Sequence, residues 1–190
     1  MAILKIARMG HPLLLARAEP VVDPTAAEVR RLVSDMIETL FDADAAGLAA
    51  PQVHVPLRLF VFRCRAERLT ADPEDRPTSA PVEVVFNPEI EPIGAELETT
   101  WEGCLSVPGL RGAVPRHRRI RYRGRDRDGQ PFERTVSGFH ARVVQHEVDH
   151  LDGILYPMRM EDFALFGFTE ELARAAHGVI GAPHGPGRDG

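Results

Sequence analysis

The segment at residues 145–150, Gln-His-Glu-Val-Asp-His, carries the residues of this chain that are best suited to metal chemistry. His146 and His150 are four positions apart, so they lie on the same face of a helix. Two imidazoles in that arrangement bind one metal ion, and Glu147 is placed to handle protons on a water molecule at the ion. The motif therefore predicts a hydrolytic metalloenzyme. The bond that the enzyme cuts depends on the third ligand.

The neighbours of this motif are apolar, which indicates that the helix is buried. They are Val143, Val144, Val148 and Leu151. Buried charged groups are costly unless they are paired or bind a metal. Histidines and acidic residues among core residues therefore favour a metal site over a chance occurrence of the motif.

Residues downstream of the motif are poor candidates for the third ligand. The extended metalloprotease pattern has a histidine six positions after the second one, and that position holds Tyr156. Thermolysin-type sites use a glutamate instead. Nothing around the three downstream glutamates is typical of a ligand helix, and these are Glu161, Glu170 and Glu171.

Cys104, in the upstream segment Glu-Gly-Cys-Leu-Ser at 102–106, is a stronger candidate. The adjacent glycine favours a turn in which backbone N–H groups point at a ligand. A thiolate is also a strong ligand for a divalent metal. The alternative is that Cys104 is a small buried hydrophobic residue, and this is the interpretation that we prefer for Cys64.

The elements that position these residues are predicted from periodicity and turn residues. A first helix is predicted over 23–41, where Thr25 and Glu28 have the spacing of a capping box. Residues 43–52 are rich in small side chains and predict no regular element. Strands are predicted at 57–63 and 82–86.

The second half of the chain predicts the element that carries the metal motif. A polar surface loop is predicted at 66–81, and a hairpin at 120–136 that turns at Asp-Gly. Ser137 then caps the metal-binding helix, and a final helix covers 162–177. This order predicts an α+β fold, with mixed and antiparallel strands around a central helix that carries the metal motif.

Length and composition predict one catalytic domain at residues 1–180 and a disordered Gly- and Pro-rich tail at 181–190. The chain has 190 residues, of which 44% are hydrophobic, and no stretch is long and apolar enough for a membrane span. Two cysteines and no secretory segment predict a cytoplasmic protein. The net charge of −5 argues against nucleic acid as the main partner, and the basic run at 116–127 is interpreted as the exposed face of a strand.

Three motifs together resemble those of peptide deformylase, and the resemblance extends over residues 6–168. They are Gly-Leu-Ala-Ala-Pro-Gln at 47–52, Glu-Gly-Cys-Leu-Ser at 102–106 and the metal motif at 145–150. The resemblance implies the fold of that family and the removal of the N-formyl group from formyl-methionyl nascent peptides, with release of formate. It also implies that Cys104, His146 and His150 bind the metal.

The resemblance further implies the roles of three residues and the identity of the ion. Glu147 acts as the general base and acid, and the side-chain amide of Gln52 and the backbone N–H of Leu105 stabilise the oxyanion. The ion is one divalent metal per chain, Fe²⁺ in the cell, with Zn²⁺, Ni²⁺ or Co²⁺ as substitutes.

Helix geometry and the resemblance together predict the substrate side of the site. Phe139 and Val143 share the face of His146 and are expected to line a pocket for the methionine side chain. Arg142 shares that face as well, and either extends past the pocket or pairs with an acid. Around Ala46 and Gly47 the chain is expected to pair with the peptide backbone as an added strand.

The remaining assignments come from the resemblance alone. Glu102, Gly103 and Arg111 are placed near the substrate, with surface ion pairing as the alternative for the two charged residues. Asp149 is expected to support the metal site through an arginine that the sequence does not identify. Transient contact with the ribosome near the exit tunnel is expected. Docking through the C-terminal end is not expected, because this end lacks a long basic helix.

One residue departs from the family pattern. Ala45 stands where a glycine is usual, and a positive φ there would strain the loop by roughly 1 kcal/mol. Two other functions stay open on the sequence: a zinc endopeptidase that uses the same metal helix, and a non-catalytic homologue that binds peptide. Release of formate from a formyl-methionyl peptide, without internal cleavage, distinguishes the three.

Overall fold

The computed structural model describes residues 2–75, 77 and 81–174. The tail predicted at 181–190 and the end of the helix predicted at 162–177 lie outside the described residues. None of the described helices has the length and apolar character needed to cross a membrane.

Eight strands form two sheets within the described residues. The strands are β1 (Gly47–Ala49), β2 (Leu59–Phe62), β3 (Glu83–Pro92), β4 (Leu97–Cys104), β5 (Val107–His117), β6 (Arg119–Arg125), β7 (Pro131–Ser137) and β8 (Phe166–Phe168). The larger sheet has the order β1-β2-β3-β6-β7 and the smaller one β4-β5-β8. All the strand pairs are antiparallel. The predicted α+β fold is confirmed.

The part of the chain that the structure describes also contains three α-helices and five 3-10 helices. The α-helices are α1 (Ala27–Asp42), α2 (Gly138–Leu151) and α3 (Thr169–Arg174). The 3-10 helices are Pro12–Leu15, Ala50–Val53, Ala66–Arg68, Tyr156–Arg159 and Phe163–Leu165.

Helix α2, which carries the predicted metal motif, is buried because it packs against strand β2. All four residues of β2 are apolar and buried, as expected for a strand that is covered on both faces. Phe60 and Phe62 belong to the apolar cluster beneath α2. Leu59 and Val61 belong to the cluster beneath α1. The larger sheet therefore separates the two helices, and α2 lies between this sheet and the metal site.

Two predictions near the N-terminus are wrong. The first helix begins at Ala27, because the side chain of Asp23 accepts hydrogen bonds from the backbone and hydroxyl of Thr25 and closes a turn before it. The predicted capping box is therefore absent, and Ala26 caps the helix without a side-chain hydrogen bond. Residues 43–52 do contain regular structure, since β1 pairs with β2 from Gly47 to Ala49.

The hairpin of β6 and β7 is confirmed, and it turns at Gly129, which has a positive φ. The cap of α2 differs from the prediction. Ser137 is the N-cap residue, but its side chain makes no capping hydrogen bond. The carboxylate of Asp75 accepts the N–H of His140 instead, at 3.0 Å. The loop predicted at the surface thus supplies a buried contact to the metal-binding helix.

The region between residues 97 and 117 forms two long strands that the sequence interpretation missed. The single final helix predicted at 162–177 is also wrong, because a 3-10 turn, β8 and α3 occupy its described part. On β6 the arginines are exposed, as predicted for the basic run. Arg116, at the start of that run, is buried on β5 and does not fit the prediction.

Candidate functional site

The end of β4 and one face of α2 bring together three side chains that could bind a metal ion. The sulfur of Cys104 and one nitrogen each of His146 and His150 lie within 4.8 Å of one another. Cys104 Sγ is 3.2 Å from His150 Nε2. The antiparallel sheet and the helix thus place a thiolate donor beside two imidazoles that are four residues apart, as the sequence predicted.

The surroundings of Cys104 favour a thiolate. Burial alone would raise its pKa, but the neighbouring His150 and His146 bring the pKa well below its usual value. The backbone N–H of Ser106 and the side-chain amide of Gln52 each donate a hydrogen bond to the sulfur at 3.4 Å. A soft anionic sulfur with two imidazoles suits a divalent transition metal, so the donor set fits the predicted ion.

His146 is held by a partner on each side. Its Nδ1 is 2.8 Å from Glu102 Oε2, which leaves Nε2 for a metal. The ring of Tyr156 stacks on it, with ring centroids 6.2 Å apart and planes inclined by 24°. Tyr156, which occupies the place of a third histidine in metalloproteases, therefore packs against a candidate ligand.

Glu102 is the centre of a buried ion network. Its two oxygens accept hydrogen bonds from Arg116 at 2.9 and 3.0 Å, and Oε1 also accepts one from Arg142 at 2.9 Å. Burial would raise the pKa of Glu102, but His146 and Arg116 hold it well below its usual value. The alternative of a surface ion pair is therefore wrong for Glu102, whose exposed fraction is 6%.

Asp149 extends this network on the other side of Arg116. Arg116 pairs with Asp149, which also binds Arg159 at 2.7 Å. Arg116 is thus the partner that the sequence left unnamed. No local pattern marks it, because its acidic partners are 14 and 33 residues away. Arg142 pairs with an acid, one of the two alternatives, and also donates to the carbonyls of two neighbouring strands.

Glu147 faces the cleft from α2 and lies against Gly47. Its carboxylate is buried, and no described residue forms a hydrogen bond to Oε2. Burial raises the pKa of Glu147 to about 7. A Cβ atom at position 47 would overlap this carboxylate, so only glycine allows the close approach. Glu147 is therefore held beside the metal ligands with one oxygen available for a proton.

Gln52 is oriented by the short helix Ala50–Val53. Its Oε1 accepts the N–H of Ala49 at 2.8 Å, so its Nε2 turns toward the metal cluster. That nitrogen also donates to Ser106 Oγ at 3.2 Å. The donor side of this amide therefore faces Cys104 and Ser106 at the cleft.

A cleft of about 470 Å³ joins these groups, a volume typical of small-ligand sites. Most of the predicted site residues line it: Ala46, Gly47, Gln52, Glu102, Gly103, Cys104, Leu105, Arg111, Phe139, Val143, His146 and Glu147. His150 is not among the lining residues and is buried. The sequence interpretation did not assign several other lining residues to the site, among them Asp44, Arg68 and Trp101.

The loop before β1 avoids the strain expected at Ala45. The positive φ of this loop falls on Asp44, at 47°, and not on Ala45. Aspartate tolerates this conformation better than most residues. Arg63 holds the turn, since it donates to Asp44 at 2.7 Å and to the carbonyl of Ala45 at 2.9 Å. Alanine at position 45 therefore needs no left-handed backbone.

Comparison with known proteins places this chain in a family. The family model described as polypeptide deformylase matches residues 3–165. Peptide deformylase 2 of Bordetella bronchiseptica is 53% identical over 167 residues, which is 88% of this chain and 93% of that protein. The chain belongs to the peptide deformylase family. Another relative, peptide deformylase 2 of Ralstonia nicotianae, is 50% identical over 90% of this chain and 94% of its own length.

Solved structures of deformylases have the same fold. One, from Synechococcus elongatus in complex with actinonin, is 33% identical, with a TM-score of 0.72 over 84% of this chain and 79% of that one. Another, the Met-Ala-Ser-bound class I type b enzyme of Acinetobacter baumannii, is 34% identical, with a TM-score of 0.72 over 83% and 99%. This deformylase is a metal-dependent hydrolase that removes the N-formyl group from nascent peptides.

Proposed function

We propose that Cys104, His146 and His150 hold the single divalent metal at which this deformylase acts. The observation that carries this proposal is the convergence of their three donor atoms, which lie within 4.8 Å of one another at the cleft that Glu147 lines. Three protein ligands leave one position for water or substrate, as in other catalytic sites. When bound, the ion supplies Lewis acidity and a water nucleophile near neutral pH.

Glu147 carries the proton of the reaction. Its carboxylate takes the proton from the attacking water and delivers it to the leaving amine of methionine. A pKa of about 7 suits both transfers, because the group gains and loses a proton readily at neutral pH. The contact with Gly47 keeps the carboxylate on the cleft side of α2.

Two N–H donors stabilise the oxygen of the formyl group as it becomes negative. One is the side-chain amide of Gln52, whose orientation is fixed by Ala49. The other is the backbone N–H of Leu105, which follows the thiolate in the turn between β4 and β5. Loss of one such donor typically costs roughly 3 kcal/mol of barrier.

The methionine side chain binds against Phe139 and Val143, one turn of α2 apart on the cleft face. The peptide backbone pairs with the chain at Ala46 and Gly47 on one wall and with Gly103 on the other. Recognition through backbone groups allows the enzyme to act on many sequences after the methionine.

The ion in the cell is Fe²⁺. The enzyme acts in the cytoplasm on N-formylmethionyl peptides. It contacts the ribosome transiently near the exit tunnel. Residues 1–180 form a single catalytic domain. Zinc binds such a ligand set more tightly than ferrous iron, so availability and geometry must select the metal. Full activity of the zinc-loaded protein as purified would contradict iron.

The test compares three single substitutions by metal content and by formate release from formyl-Met-Ala-Ser. Glu147→Ala is expected to keep the metal and lose at least 100-fold in kcat, in line with general acid–base catalysis worth about 10²–10⁴-fold. Cys104→Ala is expected to lose both metal and activity. Cys64→Ala, at a buried cysteine of the core, is the matched control and is expected to keep both.

Full metal occupancy in Cys104→Ala would refute the thiolate ligand. Retained turnover in Glu147→Ala would refute the proton carrier. Cleavage within the peptide by the parent enzyme, without formate, would favour an endopeptidase instead.

A further inference from the structure

The substrate cleft contains two arginines without an acidic partner. Arg68, at the end of the 3-10 helix Ala66–Arg68, and Arg111, on β5, both line the cleft. Neither takes part in an ion pair with any residue that the structure describes. The third arginine of the lining, Arg142, is already paired with Glu102. Two positive charges therefore remain in the cleft without a counter-charge.

The acidic residues that line the same cleft do not provide a counter-charge for Arg68 and Arg111. Asp44 is bound by Arg63 and Arg65, which follow the end of β2, and Glu102 is bound by two buried arginines. The remaining acid is Glu147, the proton carrier proposed above. The cleft thus presents unbalanced positive charge, although the whole chain has a net charge of −5.

The two arginines lie on opposite walls. The guanidinium carbon of Arg68 is 5.7 Å from the centre of the Phe139 ring, on the α2 side. The side chain of Arg111 lies over Gly103, since a Cβ atom there would be 3.6 Å from Arg111 Cγ, on the β4 side. Burial, and then the charge of Arg68, lower the pKa of Arg111, as expected for two cations across a narrow space.

The indole of Trp101 also lines the cleft, but its Nε1 is buried and forms no hydrogen bond within the described chain. Among the described lining residues, the two guanidiniums are the charged donors without a partner. Guanidinium groups suit a carboxylate, which accepts their N–H groups and neutralises their charge.

We propose that Arg68 and Arg111 make this deformylase prefer substrates that carry an acidic side chain at the third residue. In an extended peptide the first and third side chains lie on the same face, about 7 Å apart. With methionine against Phe139, the third side chain comes to Arg68 beside that ring. This inference deepens the proposed function and rests on the methionine position given there.

The test measures kcat/KM for formate release from three amidated peptides that differ only at the third residue. Formyl-Met-Ala-Glu-amide carries the charge, formyl-Met-Ala-Gln-amide has nearly the same shape without it, and formyl-Met-Ala-Lys-amide reverses it. Amidation removes the terminal carboxylate, which would otherwise add a negative charge to every peptide. We expect the glutamate peptide to exceed the glutamine peptide by about fivefold at low salt, the upper end for an exposed charge pair. The ratio should fall toward one as salt screens the charges.

Variants of the enzyme test whether Arg68 contributes to the preference for an acidic third residue. Arg68→Gln is expected to lower the Glu/Gln ratio, because only Arg111 then remains as an unpaired cation, and Arg68→Glu is expected to favour the lysine peptide. Arg121→Gln, which removes the same charge from the exposed face of β6, is the matched control and is expected to keep the ratio of the parent enzyme.

Equal kcat/KM for the three peptides in the parent enzyme would overturn the inference, and so would an acid preference that survives in Arg68→Glu. Both outcomes leave the deformylase activity in place. The absence of formate from the glutamine peptide, with metal bound, would instead contradict the proposed function.

Discussion

Two groups of arginines lie side by side in the sequence but have different roles in the structure. Arg116 is buried on β5 and is bound by Glu102 and Asp149, both of which are also buried. Arg123, seven residues later on β6, is exposed and pairs with the exposed Glu89. The buried charges are held by protein partners alone. Arg123 and Glu89 are exposed, so both side chains can also form hydrogen bonds with water. The same residue type therefore holds Glu102, the partner of the candidate ligand His146, in one region and lies on the exposed face of a sheet in the other.

The largest expected effect breaks the buried network at its centre. Arg116→Met leaves Glu102 and Asp149 buried with fewer positive partners, and loss of one member of a buried ion pair costs about 3–5 kcal/mol. Arg123→Met removes an exposed pair and is expected to change nothing measurable. Denaturant unfolding of the two variants, in the same metal-loaded form, provides the measurement. Equal midpoints would show that burial does not distinguish the two arginines.

A smaller effect is expected for the partner that touches the metal ligand. Glu102→Gln keeps the shape but loses the charge that holds His146 Nδ1. Loss of such a contact to a ligand histidine typically weakens metal binding about 10–100-fold. Glu89→Gln, in the exposed pair with Arg123, is the control and should leave metal affinity unchanged.

Competition with a chelator measures the metal affinity of Glu102→Gln and of Glu89→Gln. If Glu102→Gln bound the metal as tightly as the parent enzyme does, Glu102 would be only a structural partner of the two buried arginines.

The sequence identified the side chains that the structure brings together at the candidate metal site, because they are local or chemically distinctive. His146, Glu147 and His150 follow helical spacing, and Cys104 is one of only two cysteines. The hairpin was predicted for a similar reason, since Asp-Gly lies between two runs with strand periodicity. Features that are contained within a few residues of one another can be found in a single sequence.

Features made by distant residues could not be predicted. Arg116 resembles its exposed neighbours until β4 and α2 bring two acids to it from 14 and 33 positions away. The contact of Gly47 with Glu147 and the position of Arg68 in the cleft could not be predicted for the same reason, because they also depend on residues that are distant in the sequence. Strands β4 and β5 were missed because neither alternates cleanly between buried and exposed residues.

The smallest expected effect concerns the start of the metal-binding helix. Asp75 is buried, and its carboxylate accepts the N–H of His140 and of Thr70, so it joins a distant loop to α2. Gly138 has to be glycine here, because a Cβ atom would overlap that carboxylate at a φ of 56°. Asp75→Ala is expected to destabilise the fold by about 1–2 kcal/mol through loss of a helix cap.

The control for Asp75→Ala is Asp162→Ala, which removes an exposed side-chain cap from the 3-10 helix Phe163–Leu165. Its N–H donor can bond to water instead, so little change in the unfolding midpoint is expected. Hydrogen exchange adds the sharper measurement: protection of His140 N–H should fall in Asp75→Ala and not in Asp162→Ala. Unchanged protection at His140 would mean that the loop does not fix the start of α2. Buried contacts would then stabilise the protein more than exposed ones only in the ion network around Arg116.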